Sequence, residues 1–164
     1  MNVPFEKLVP TARTWIYQAN RKMSSEEKTT IKQALGDFTE QWLVHGLPLE
    51  ASFDIRHDLF VILAANDTTS GCSIDSSVRA MKEAGSLTGI DFFNRNLVAF
   101  KYPDEIRLVD LSLLKVAFQQ GEWTEETLVF NNMTSTLREL EERWLVPAGS
   151  TWLKRYIPKP QSVQ

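Results

Sequence analysis

The chain has 164 residues, long enough for one domain that buries roughly 70% of its unfolded surface, so neither a metal nor a disulfide is needed to hold a core. Its formal net charge of −3 argues against the basic face of a nucleic-acid-binding protein, and one cysteine excludes an internal disulfide and fits the cytoplasm. Pro4 and Glu6 interrupt the apolar core that a signal peptide needs, and the longest apolar run, LFVILAA at 59–65, falls far short of the roughly 20 residues of a membrane span.

Trp15, Ile16 and Tyr17 are strand formers and predict a strand over about 14–18, with Asn20 and Arg21 leading into a loop. A helix follows. Ser24 and Glu27 have capping-box spacing, and Ile31, Leu35, Phe38 and Trp42 recur on one face. Gly46 is read as its left-handed C-terminal cap and Pro48 as its stop, which places His45 at the helix end. ASFDIRHDLFVILAA reads as a hairpin turning at His57-Asp58, its second strand apolar on both faces and so central. Ile74, Val78 and Met81 mark a second helix, ended at Gly85.

LVAFKY and EIRLVDL flank Pro103-Asp104 as a second hairpin. Asp110 caps LSLLKVAFQQ, which ends at Gly121. A short strand, TLVF at 127–130, precedes a helix capped by Thr134 or Ser135, carrying Leu137, Leu140 and Trp144 on one face and ending by Pro147. The tail 158–164 is polar and proline-bearing. Hairpins outnumber β-α-β alternation. The expected fold is therefore α+β: one domain over 1–157 with a mostly antiparallel sheet of about 5–6 strands and helices mainly on one face.

TSGCSIDSS, residues 69–77, holds the lone thiol at the start of the second helix. Ser70, Ser73 and Asp75 are good N-caps, and Gly71 gives the chain room to turn, so helix initiation alone explains the stretch. The same free N–H groups and the helix dipole favour an anion, which makes a ligand site of Ser70, Gly71, Ser73 and Asp75. A thiol there shifts toward thiolate, so Cys72 is also readable as a nucleophile with His45 or His57 as base. Gln18, Asn20 and Arg21 leave a strand end and are candidate ligand contacts, Arg21 as a bidentate donor.

No G-x-x-x-x-G-K-[ST] loop and no G-x-G-x-x-G turn occurs, so nucleotide hydrolysis on a P-loop is excluded. The spacing of His45, His57 and Cys72 gives no zinc site, and no cofactor is expected. Of five tryptophans, Trp42 and Trp144 are assigned to the core. Trp123 and Trp152 are assigned to loops or termini, where they either pack within the fold or, as the alternative, line a pocket or a partner surface.

WIYQANR, FTEQWLVHG, ASFDIRHDLFVI and SGCSIDSSV, with LVFNN and WLVPAGSTW near the end, resemble a family of small bacterial proteins commonly labelled "ABC transporter ATPase". The resemblance spans nearly the whole chain. It implies membership in a group without an established activity and carries over no catalytic residue. Its motif stretches contain Gln18, Asn20, Arg21, His45, Cys72, Asp75 and Asn131. The expectation is a soluble protein with a small polar or anionic ligand, no nucleic acid and no membrane. The alternatives are a Cys72-dependent enzyme of acyl-transfer or thiol chemistry, and an interaction module built on Trp123 or Trp152.

Overall fold

The computed structural model describes residues 1–66 and 71–159, with the side chains of 71–73 outside that set. Contacts divide the chain into two compact units: Met1–Asn94 with Asn132–Glu142, and Arg95–Asn131 with the described residues from Arg143 onward. Both are α+β with antiparallel sheets. Instead of one sheet of five to six strands, the described residues form sheets of three, two and four. The apolar patterns of the individual strands do not encode which hairpins join edge to edge.

In the first unit, β1 (Arg13–Gln18) and β4 (Ala51–Arg56) flank β5 (Phe60–Ala65). Every residue of β5 is buried, as expected of a central strand. β4 and β5 turn at His57 and Asp58, whose φ of 58° and 55° give the left-handed pair that a tight hairpin requires. Segment 132–136 lies along the free side of β1, bridging Arg13 with Thr136 and accepting the Thr14 N–H at Ser135 O. Asn2 bridges the outer side of β4 at Ala51.

α1 (Ser25–Gln41) starts with the capping box: Glu27 N donates to Ser24 Oγ, and Ser24 N to Glu27 Oε1. Its C-terminus departs from expectation. The helix stops at Gln41, and β2 (Leu43–Val44) and β3 (Leu47–Pro48) form a small hairpin. His45 and Gly46 are its two turn residues, with φ of 52° and 77°, so Gly46 serves a strand turn rather than a helix cap. The competing gain is aromatic burial. Trp42 packs 5.5 Å from Trp15 and 4.6 Å from Phe38, over Ala51 and Ala65.

α2 (Gly71–Thr88) packs along α1 and touches β1. It runs past the expected stop. Gly89, at φ 73°, is the left-handed residue, and its N–H donates to Gly85 O. Gly85 is instead a close-approach position, because a Cβ there would lie 2.7 Å from Ile90 O. Met81 faces the core as expected, whereas Ile74 is 38% exposed. α4 (Leu137–Arg143) is capped by Thr136 Oγ1, which accepts from Glu139 N, one residue later than expected.

The second unit is the sheet β7-β6-β8-β9, built from β6 (Leu97–Lys101), β7 (Ile106–Asp110), β8 (Leu128–Phe130) and β9 (Leu145–Pro147). Its core joins Val98, Phe100 and Val129 to Leu114 and Ala117 of α3 (Leu114–Gln119) and to Leu153. Trp123 lies in a loop as expected but is 1% exposed, which removes the alternative that it faces a pocket or partner. It stacks on Phe100 at 5.3 Å and donates Nε1–H to Leu114 O at 2.9 Å. The satisfied N–H is what lets so large a ring be buried. Trp152 is exposed and meets Tyr156 edge-on. Among the described residues no helix is long and apolar enough to cross a membrane.

Candidate functional site

The two ends of β5 separate the residues singled out in the sequence. At the Phe60 end, Gln18 Oε1 accepts from Asn132 Nδ2 at 3.0 Å. Asn20 N donates to Asp91 O at 3.0 Å while Asp91 N donates to Asn20 Oδ1 at 3.1 Å, a reciprocal clasp. Arg21 forks onto Glu27, with Nη1 to Oε1 at 2.8 Å and Nη2 to Oε2 at 2.6 Å. These donors, Arg21 first and the Ser24 backbone next, hold the Glu27 carboxyl down at about 2. Each of the three residues is therefore tied within the fold. His57 lies at the same end, in the β4–β5 turn. The neighbouring Asp58 pairs with Lys28 at 2.6 Å, which lowers its carboxyl pKa.

At the other end, Ala65 pairs with Arg13 and Ala51, and the chain leaves β5 for α2. The β2–β3 hairpin belongs here, because Val44 packs against the cluster containing Trp42, Ala51 and Ala65. His45 is exposed at the hairpin tip, at this end of the sheet and apart from Arg21 and His57. Ser70 lies outside the described residues. The backbone of Gly71, Cys72 and Ser73 opens α2, but their side chains are outside that set. Asp75 is exposed. Two residues on, Ser77 Oγ donates to Ile74 O at 2.8 Å. Its Oγ also lies 2.8 Å from the Tyr17 hydroxyl, and either hydroxyl can donate in that contact. Burial raises the Tyr17 pKa and the Ser77 bond partly opposes this. Asn131 belongs to the second unit, where its N–H donates to Trp144 O.

Arg13 escaped the sequence reading. Its guanidinium lies 5.4 Å from the Trp15 ring centroid, half-buried, and makes no ion pair or side-chain hydrogen bond among the described residues. The available signal was the alternation Arg13, Trp15, Tyr17 along one face of a strand. Arg13, Trp15, Trp42 and Phe38 form a continuous cation-aromatic row. A depression of about 340 Å³ is lined by Lys28, Lys32, Phe53, Asp54, Ile55 and Asp58. Among the described residues no group of His, Cys, Asp and Glu side chains is placed to hold a metal ion. No family model, no curated protein and no solved structure matches the chain.

Proposed function

We propose that this is a cytoplasmic protein, without a P-loop, that binds a small anionic or polar ligand at the end of the first unit's sheet where β5 hands over to α2. The observation that supports it is Arg13, a half-buried guanidinium with no carboxylate partner among the described residues, lying over the Trp15 ring opposite Ala65 at the end of β5. No described residue takes its five donors, which suit a planar or tetrahedral anion, and the indole beneath it favours a cation at that place. Arg21 has no such freedom. A phosphate titration followed by NMR tests this. The Arg13 Nε–H and Trp15 indole signals should shift and saturate, Arg13→Gln should abolish saturation, and Arg21→Gln should leave it intact. Equal behaviour of the two variants would reject the site.

A second reading keeps Cys72 as a nucleophile for acyl-transfer or thiol chemistry. It is favoured by one placement: the His45 hairpin packs at the Ala65 end of β5, the end from which the chain continues to α2, and His57 lies at the other end. The alkylation rate of Cys72 against pH should then show an apparent pKa below the free-thiol value of about 8.5, moved by His45→Gln and not by His57→Gln. A buried, slow thiol indifferent to both variants would remove this reading.

A further inference from the structure

In the second unit, α3 and the 3-10 turn Trp152–Tyr156 are neighbours, because Leu114 and Ala117 of the one and Leu153 of the other enter the same core. Thr151 fixes the turn: its Oγ1 accepts from Leu153 N at 3.1 Å and donates to Ala148 O at 2.7 Å. With Leu153 fully buried, the adjacent Trp152 is left 47% exposed, and its indole N–H has no partner among the described residues. The helix start repeats the pattern. Leu114 is buried, while Leu113 and Val116, three residues apart, are 56% and 47% exposed. Single exposed apolar residues are ordinary, but these three lie on two elements that share one core, and cations are interleaved with them in sequence. Lys115 lies between Leu113 and Val116, and Lys154 and Arg155 follow Trp152. All three cations are exposed, and none makes an ion pair among the described residues. No Asp or Glu occurs in 111–120 or in 148–159, although the chain as a whole carries −3.

We infer that the outer sides of α3 and the Trp152 turn form a docking surface for an anionic lipid bilayer, on which the protein lies without crossing it. Charge complementarity names the sign of the occupant: three exposed cations without carboxylate partners call for an anionic surface. The apolar residues name its kind. Leu113 and Val116 gain by entering the acyl boundary, Trp152 suits the headgroup level with its N–H toward water, and the long stems of Lys115, Lys154 and Arg155 let their charges reach the phosphates. A nucleic acid offers the same phosphates but no apolar phase in which to bury Leu113 and Val116. A second copy of the surface would bring like charges together. The surface belongs to the second unit and uses none of the residues at the Arg13 end of the first.

The test is co-sedimentation of the full chain with vesicles of phosphatidylcholine containing roughly one-third phosphatidylserine, against vesicles of phosphatidylcholine alone. Binding should be confined to the anionic vesicles and should weaken in high salt. Trp152 is the most exposed of the five tryptophans, so its emission should shift to the blue and be quenched by lipid brominated in the acyl chain, and Trp152→Phe should remove that quenching. Lys154→Gln with Arg155→Gln should weaken binding about tenfold or more. Leu113→Asp with Val116→Asp, exposed changes outside the core, should abolish it. No binding at millimolar anionic lipid, equal binding to both vesicle types, or undiminished binding by either double variant would overturn the inference. So would binding without quenching by the brominated chains, which would identify an acidic protein or another soluble polyanion as the partner.

Discussion

Arg13 and Arg21 carry the same guanidinium and meet different partners. Arg21 was singled out because it follows a strand in a polar loop, yet the capping-box Glu27 lies within its reach and takes both of its forks. Sequence shows the cap, since Ser24 and Glu27 are three apart, but not that Arg21 folds back onto it. Arg13 was passed over because its partner is a ring on the same strand face. The Glu27 cluster has a pH consequence. Its carboxyl sits at about 2 when folded against an ordinary value of 4.5, so its contribution is present above pH 4.5 and lost as the pH falls toward 2. Urea midpoints measured across that window should fall less steeply for Glu27→Gln than for the parent chain. A parallel decline would show that Glu27 is not among the groups responsible.

At the scale of elements, starts were more legible than stops. Side-chain caps such as Ser24 and Asp110 are local chemistry and stand where expected. Glycines were ambiguous, because the same residue serves a helix end, a hairpin turn or a close approach. Gly46, Gly85 and Gly89 fill these roles in an order that tertiary contacts decide. Two helical glycines make the distinction measurable. A Cβ at Gly36 meets nothing within 4 Å, so Gly36→Ala should stabilise by about 0.5–1 kcal/mol through the unfolded chain. A Cβ at Gly85 meets the Ile90 carbonyl at 2.7 Å, so Gly85→Ala should destabilise despite alanine's better helix propensity. Thermal melts of the two variants should move in opposite directions.

At the scale of the whole molecule, the α+β class and the antiparallel hairpins were readable, because period-two apolar runs and turn residues are short-range signals. The division into two units was not. It depends on segment 132–142 returning to the first unit, and nothing in that stretch names β1 as its partner. The burial of Trp123 is illegible for a related reason: its loop is polar, and only the assembled sheet shows the ring stacked on Phe100. Trp123→Ala should cost about 3–5 kcal/mol in the second unit's core. Hydrogen exchange should accelerate at Phe100 and Val129, which share that core, before it accelerates at Leu63 in β5. Equal acceleration at all three would show one cooperative core.

The return of segment 132–136 to β1 also sets an order of events on the ribosome. The first 94 residues emerge with β1, β4 and β5 complete in sequence, yet the strip that shields the free side of β1 is synthesised only after three strands of the second unit. A nascent chain therefore exposes a bare strand edge for the whole interval. Premature release in that interval yields a fragment prone to pair with its neighbours.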